Sequence, residues 1–252
     1  MLQILKARFH QKYRTFPFPE KMPPMAARYT GRPEIASGNC KSGCNACVAA
    51  CPVGALSLGE NKRPIIDMGS CLFCRACETA CPEKLINFTQ DFSLAANKKE
   101  GLLINAATFK RAEAMGNELR RLFGRSLKLR QVSAGGCNAC EADTNVLATP
   151  NFDLARYGIQ FVASPRHADG LLITGPVSQN MKLALLKTYE ALPSPSIVIA
   201  TGACAISGGL FKGNSEVNDG VGNLIPVDLY IPGCPPNPWT ILEGILRFMG
   251  RL

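Results

Sequence analysis

At 252 residues, 46% of them apolar, with a net charge of +9, the chain is long enough for one or two packed domains and too apolar for a disordered one. No uninterrupted apolar run approaches the roughly 20 residues of a membrane-spanning helix. Neither a secretory leader with a small-residue cleavage site nor a twin-arginine signal is recognisable, so the expectation is a cytoplasmic protein that does not cross a bilayer unaided. Twelve cysteines in that compartment point to metal binding rather than to disulfides.

The positive charge is unevenly placed. Residues 1–35 hold seven Lys/Arg against two acids and residues 93–130 hold nine against three, whereas 36–92 balance and 131–252 are slightly acidic. The basic excess therefore lies outside the cysteine-bearing regions, where it suits phosphate, acidic lipid headgroups or an acidic partner.

Residues 1–35 read as a basic, proline-rich arm. Leu2, Leu5 and Phe9 are spaced to share one face of an opening helix, while Lys6, Arg8, Lys12 and Arg14 fall largely elsewhere. Pro17, Pro19, Pro23 and Pro24 then deny a continued helix and favour an extended arm. Its expected role is contact with a partner subunit or a membrane surface, with a solvated tail as the alternative.

Residues 36–92 carry the most specific spacing. Cys40, Cys44, Cys47 and Cys51-Pro52 are echoed by Cys71, Cys74, Cys77 and Cys81-Pro82, an internal repeat of about 30 residues. The second copy obeys the Cys-x2-Cys-x2-Cys-x3-Cys-Pro rule of bacterial two-cluster ferredoxins, in which the fourth cysteine serves the other cluster. The expected ligand sets are Cys40, Cys44, Cys47 and Cys81 for one [4Fe-4S] cluster, and Cys71, Cys74, Cys77 and Cys51 for the other. Lys41, Ser42 and Gly43 widen the first loop by one residue, which leaves a three-iron cluster there as an alternative. Zinc is the bland alternative for the whole segment, though zinc sites rarely use eight cysteines in this pattern. Short strands are expected at 53–58, 64–68 and 85–88, giving a small α+β ferredoxin-like domain.

Residues 93–126 read as a basic connector with a helix from about Thr108 to Phe123 that carries Lys110, Arg111, Arg120 and Arg121, weakened by Gly116 and ended by Gly124. From 127 to 252 strands alternate with helices. Strands are expected at 127–134, 159–163, 170–174, 196–200 and 226–231, and helices near 139–148, 179–191 and 238–251, a pattern that argues for a parallel sheet covered by helices. Cys137, Cys140, Cys204 and Cys234 each follow one of these strands. Loops leaving the carboxyl ends of neighbouring parallel strands converge on one edge, so four thiolates from distant positions can meet there, a set suited to a third [4Fe-4S] cluster or to zinc. Gly135 and Gly136 fit either a close approach of backbone N–H groups to such a cluster or a plain turn.

Four stretches give the last 120 or so residues a family resemblance: GGCNACE at 135–141, SPRHADGLLITG at 164–175, TGACAISGGLF at 201–211 and VDLYIPGCPPNP at 227–238. This part of the chain resembles the small subunit of membrane-bound, energy-converting group 4 [NiFe] hydrogenases, including that of formate hydrogenlyase. The complex I subunit that carries the last cluster before quinone belongs to the same family, but that branch uses adjacent cysteines where this chain has Cys137-x-x-Cys140. The resemblance implies a flavodoxin-like fold and a proximal [4Fe-4S] cluster on Cys137, Cys140, Cys204 and Cys234, facing a hydrogenase large subunit that bears the NiFe(CN)2CO site. It further implies membrane-embedded complex I-like subunits, a donor that is a ferredoxin or a formate dehydrogenase module, and a position on the inner face of the cytoplasmic membrane.

In such relatives the two-cluster ferredoxin is often separate; here it is fused, which raises the effective concentration of donor clusters near the proximal one. The expected function is electron relay through three clusters to a partner that reduces protons, with no catalytic residue on this chain. Arg166, His167 and Asp169 in the matched stretch either tune the cluster and shuttle protons or merely fasten loops. Glu141 divides between helix-start electrostatics and a proton route, and Trp239 reads as core or subunit interface. Three other functions compete: an equivalent subunit of a sulfur- or quinone-reducing complex without a NiFe site, a free-standing electron carrier, and a zinc-stabilised nucleic-acid binder. The last is disfavoured because only 7% of residues are aromatic and they do not interleave with the basic runs outside the arm, so no nucleic-acid partner is expected.

Overall fold

The computed structural model describes residues 2–59, 62–105 and 109–252. The chain opens with α1 (Leu2–Gln11), in which no residue is buried. The arm that follows is anchored rather than free. Phe18 is only 2% exposed and packs against Phe92 and Trp239, while Phe16 meets Trp239 edge-on at 5.3 Å between centroids. Tyr157 donates its hydroxyl to the Phe18 carbonyl at 2.6 Å. The Phe18 carbonyl is thus satisfied by a side chain from far along the chain.

The cysteine repeat folds as two matching halves. Helix α2 (Ala46–Ala49) carries Cys47 and α3 (Ala76–Ala80) carries Cys77, each as the helix's second residue. Around them β1 (Pro33–Ile35) pairs antiparallel with β4 (Ile86–Phe88), and β2 (Leu56–Leu58), β3 (Pro64–Asp67) and β5 (Leu103–Ile104) form a three-stranded antiparallel sheet. Strands β1 and β5 lay outside the sequence expectation because two or three residues carry no readable period.

Past residue 93 the chain joins two cores, Leu94, Ala96, Leu102 and Ile104 entering one and Ala95, Ala112, Met115 and Phe123 the other. Leu94, Ala95 and Ala96 are buried, and Ala96 exchanges two backbone hydrogen bonds with Tyr230, at 3.0 and 2.8 Å. The expected helix shrinks to α4 (Asn117–Phe123), with Gly116 as its N-cap; Thr108, its expected start, lies outside the described residues. Residues 109–116 are not helical because their amides are used elsewhere: Ala112 donates to Ala95 at 2.7 Å and Met115 to Phe248 at 2.8 Å.

The remaining half is a five-stranded, wholly parallel sheet of β6 (Leu127–Ser133), β7 (Ile159–Phe161), β8 (Gly170–Thr174), β9 (Ile197–Thr201) and β10 (Leu229–Ile231), in the order β7-β6-β8-β9-β10. This 2-1-3-4-5 order is flavodoxin-like. Strands β8 and β9 are buried at every residue, as a sheet covered on both faces requires. Leu127, Leu129, Leu172, Ile197 and Ile199 pack with the apolar face of α8 (Pro238–Phe248), which touches α5 (Ala139–Val146). Leu171, Ile173, Val198 and Ala200 pack on the other side with residues of α6 (Gln179–Glu190) and α7 (Ala203–Ser207). Helix α7, one turn long, was not expected from the sequence.

Candidate functional site

Strands β6, β9 and β10 end at the same edge of the sheet, and each hands over to cysteine. Cys137 and Cys140 flank the entry to α5, Cys204 is the second residue of α7, and Cys234 lies three residues beyond β10. The thiols stand close enough to affect one another. Burial pushes Cys140 up, and the neighbouring Cys204, Glu141, Cys234 and Cys137 add to this. Burial followed by Cys234 and Cys137 takes Cys204 to about 11, and Cys234 is raised by burial and by Cys137. Thiolates gathered in a partly buried pocket repel one another unless cations stand among them. Soft thiolates select iron–sulfur clusters or zinc-type metals, and metal uptake would release their protons.

The backbone leaves room at this edge. Gly202 has φ +90°, and a Cβ built on it would lie 2.6 Å from the Cys140 sulfur; one built on Gly209, at φ +54°, would lie 2.8 Å from the Cys204 sulfur. The Leu210 amide donates to the Cys204 sulfur.

The eight cysteines of the repeat form two further groups, and the pairing is crossed. Cys40 is raised by burial and then by Cys44 and Cys81. For Cys47, burial outweighs the Val48 amide that donates to it, and Cys81 and Cys40 add to the rise. Cys71 is pushed up to about 12 by burial, against the Phe73 amide, with Cys77, Cys51 and Cys74 contributing. Cys77 reaches about 11 through burial, against the Glu78 amide, with Cys51 and Cys74 contributing. Thus Cys81 sits with the first run and Cys51 with the second. The two halves repeat in detail: Ala55 donates its amide to Cys51 at 3.2 Å and Leu85 donates to Cys81 at 3.3 Å, each four residues on. At Gly43, in the widened first loop, a Cβ would meet nothing within 4 Å, so the extra residue bulges outward without disturbing the group.

The two cysteine regions touch. Ser207, on α7 with Cys204, donates its buried hydroxyl to the Gly69 carbonyl at 2.9 Å, and a Cβ on Gly69 would lie 2.8 Å from Ile206. The loop entering Cys71 is itself tied down, with Asp67 accepting from the Gly69 amide at 2.8 Å and from the Ser70 hydroxyl at 2.7 Å. A cavity of 250 Å³ is lined by residues from both regions, among them Leu72, Phe73, Asp143 and Cys234.

Glu141 is buried and accepts from the Ser133 hydroxyl at 2.5 Å and from Thr174 at 2.6 Å. Burial alone would raise its carboxyl, but these two donors outweigh it and hold the group below the usual range. It braces α5 against β6 and β8, a role for which Ser133 and Thr174 carried no signal in the sequence. Arg166, His167 and Asp169 precede β8 and stand at the opposite end of the sheet from the cysteines, about 16 Å away over five residues at 3.3 Å each. Asp169 accepts from the Lys128 amide at 2.6 Å and fastens the starts of β6 and β8, while the Ser164 hydroxyl caps the turn at Arg166. Trp239 is core.

Three four-thiol groups, amides aimed at sulfur and glycines that let the chain pass close by fit iron–sulfur clusters. Among the described residues no three His, Cys, Asp or Glu side chains close on a point as ligands of one ion do, and a cubane binds each thiolate at a separate iron. Also among the described residues, Thr201 Oγ1 and Arg63 Nε are the buried side-chain polar atoms without a hydrogen-bond partner.

Comparison with known proteins matches residues 137–248 to the family described as NADH ubiquinone oxidoreductase, 20 Kd subunit, and residues 33–85 to the 4Fe-4S dicluster domain. The chain is 39% identical over 150 residues to the probable membrane-bound hydrogenase subunit mbhJ of Pyrococcus furiosus, covering 60% of this chain and 90% of that one. It is 42% identical over 139 residues to formate hydrogenlyase subunit 7 of Escherichia coli, covering 55% of this chain and 54% of that one, so it spans about half of that relative. With an NADH-quinone oxidoreductase subunit of Desulfovibrio desulfuricans it shares 41% identity over 112 residues, 44% of this chain and 61% of the other.

Proposed function

Because the chain belongs to the NADH ubiquinone oxidoreductase 20 Kd subunit family and carries a 4Fe-4S dicluster domain ahead of that region, we propose that it is the electron-relaying small subunit of a membrane-associated [NiFe] hydrogenase of the formate hydrogenlyase kind. The proposed ligands are Cys40, Cys44, Cys47 and Cys81 for the outer cluster, Cys71, Cys74, Cys77 and Cys51 for the middle one, and Cys137, Cys140, Cys204 and Cys234 for the proximal one. When bound, the three [4Fe-4S] clusters supply one-electron transfer between a donor protein and the large subunit, which holds the NiFe(CN)2CO site. The chain's own residues bind, space and shield them. The observation that supports the reading is the Ser207–Gly69 junction, which sets the Cys71 segment against the helix that bears Cys204.

No helix among the described residues is long and apolar enough to cross a membrane. Peripheral attachment to membrane-embedded partner subunits fits this, and α1, basic and without a buried residue, is the chain's own surface for such contact. A second reading, an equivalent subunit of a quinone-reducing complex, is favoured by the NADH-quinone oxidoreductase relative. Gentle anaerobic affinity purification with analysis of nickel, iron and sulfide separates the two. About twelve irons per chain, four for each set of four thiolates, with nickel in the retained material supports the hydrogenase; the same iron without nickel supports the second reading. About four irons would overturn both.

A further inference from the structure

The carboxyl edge of the sheet carries a polar row. Ser133 stands opposite Thr174, Ile173 stands opposite Ala200 so that Thr201 continues the row beside Thr174, and Thr201 stands opposite Ile231. Ser133 and Thr174 both give their hydroxyls to Glu141. Thr201 is fully buried, and its hydroxyl is the one in this row without a partner. Buried hydroxyls without partners are rare in folded proteins, and each asks for an explanation.

The position of Thr201 supplies one. Strand alternation puts it on the side of Ile197 and Ile199, the side covered by the core that α8 shares with α5, and α5 carries Cys140 in its first turn. The next residue, Gly202, lies against the Cys140 sulfur. A threonine hydroxyl can both give and accept, and towards a thiolate or sulfide only donation is of use. A donated hydrogen bond stabilises the more negative, reduced form of a cluster and so raises its potential.

Resting on the reading that Cys137, Cys140, Cys204 and Cys234 hold a cluster, we propose that Thr201 is a positioning residue whose hydroxyl donates to a sulfur of that cluster and raises its reduction potential. Valine matches threonine in shape and lacks only the hydroxyl, so Thr201→Val isolates the bond, and Thr201→Ser retains it. The intact complex, purified anaerobically, is titrated potentiometrically and followed by electron paramagnetic resonance.

The expected result is a roughly tenfold shift of one cluster's equilibrium towards the oxidised form in Thr201→Val, equivalent to about 59 mV for one electron. The other two clusters stay unmoved and Thr201→Ser stays near the wild type. In deuterated buffer, electron–nuclear double resonance of the reduced wild-type cluster loses an exchangeable proton coupling that Thr201→Val lacks from the start. If Thr201→Val fails to assemble, Thr201→Ala gives the same two readouts. An unmoved potential with the proton coupling retained overturns the proposal and assigns the hydroxyl to a trapped water. A preparation with only two titrating clusters would instead overturn the ligand assignment beneath it.

Discussion

Gly202→Ala tests the geometry of the sheet edge most directly. Gly202 sits at φ +90°, ψ 155°, a region open essentially to glycine alone, and any other residue there costs on the order of 1–3 kcal/mol. The backbone cannot easily rotate away, because the Gly202 amide donates to the Ile231 carbonyl at 2.8 Å and its own carbonyl accepts from Ile206 at 3.2 Å. The added methyl would then lie 2.6 Å from the Cys140 sulfur, while Cys140 is held from behind by the Thr144 hydroxyl on its carbonyl at 2.7 Å. A total near ~3 kcal/mol is less than the 5–15 kcal/mol typical of domain stability, so the chain still folds and the sulfur is what moves. Iron and sulfide analysis of anaerobically prepared protein is expected to fall from about twelve to about eight irons per chain, the loss of one cluster of three. Gly213→Ala is the control, since it has φ +79° with nothing within 4 Å of the new methyl and tests backbone cost alone. Gly202→Ala protein with its full iron complement and an unchanged melting temperature would refute the reasoning.

Phe18→Ala, which empties a site 2% exposed, is expected to cost about 3–5 kcal/mol in a denaturant titration. Deleting residues 2–13, all exposed among those described, is expected to leave stability unchanged yet weaken co-purification with membranes and partner subunits; unchanged co-purification would count against a contact role for α1. Ser207→Ala leaves the Gly69 carbonyl without its donor and is expected to lower stability by about 1–3 kcal/mol with iron content intact. Asp91 accepts from the Ser93 amide, Arg111 and Arg32, which outweigh burial and hold its carboxyl below the usual range. Its contribution is therefore present above the unfolded value of about 3.9 and lost as pH falls through the lower folded value. Asp91→Asn is expected to melt earlier than wild type at pH 7, with the gap closing only below about pH 4; a gap that persists at strongly acid pH would argue against this assignment.

The primary sequence was enough for whatever depends on local pattern. Cysteine spacing relative to Pro52 and Pro82 marked the repeat, and runs of Ile, Val and Leu marked the five buried strands, because thiol spacing and side-chain periodicity are properties of neighbouring residues. The basic amphipathic character of α1 was legible for the same reason. Only the tertiary structure decided what depends on distant partners. The helix expected from Thr108 is confined to Asn117–Phe123 because Ala95 and Phe248 take the amides before it. Strands β1 and β5 exist only by pairing with β4 and β3. Asp169 and Glu141 read alike in the sequence as charged neighbours of a site, but the direction of β8 puts one at the far end of the sheet and the other beneath the cysteines. The unpartnered hydroxyl of Thr201 is invisible without the strand register that sets it beside Thr174. A residue type states what it can bond to; only the fold brings the partner within reach.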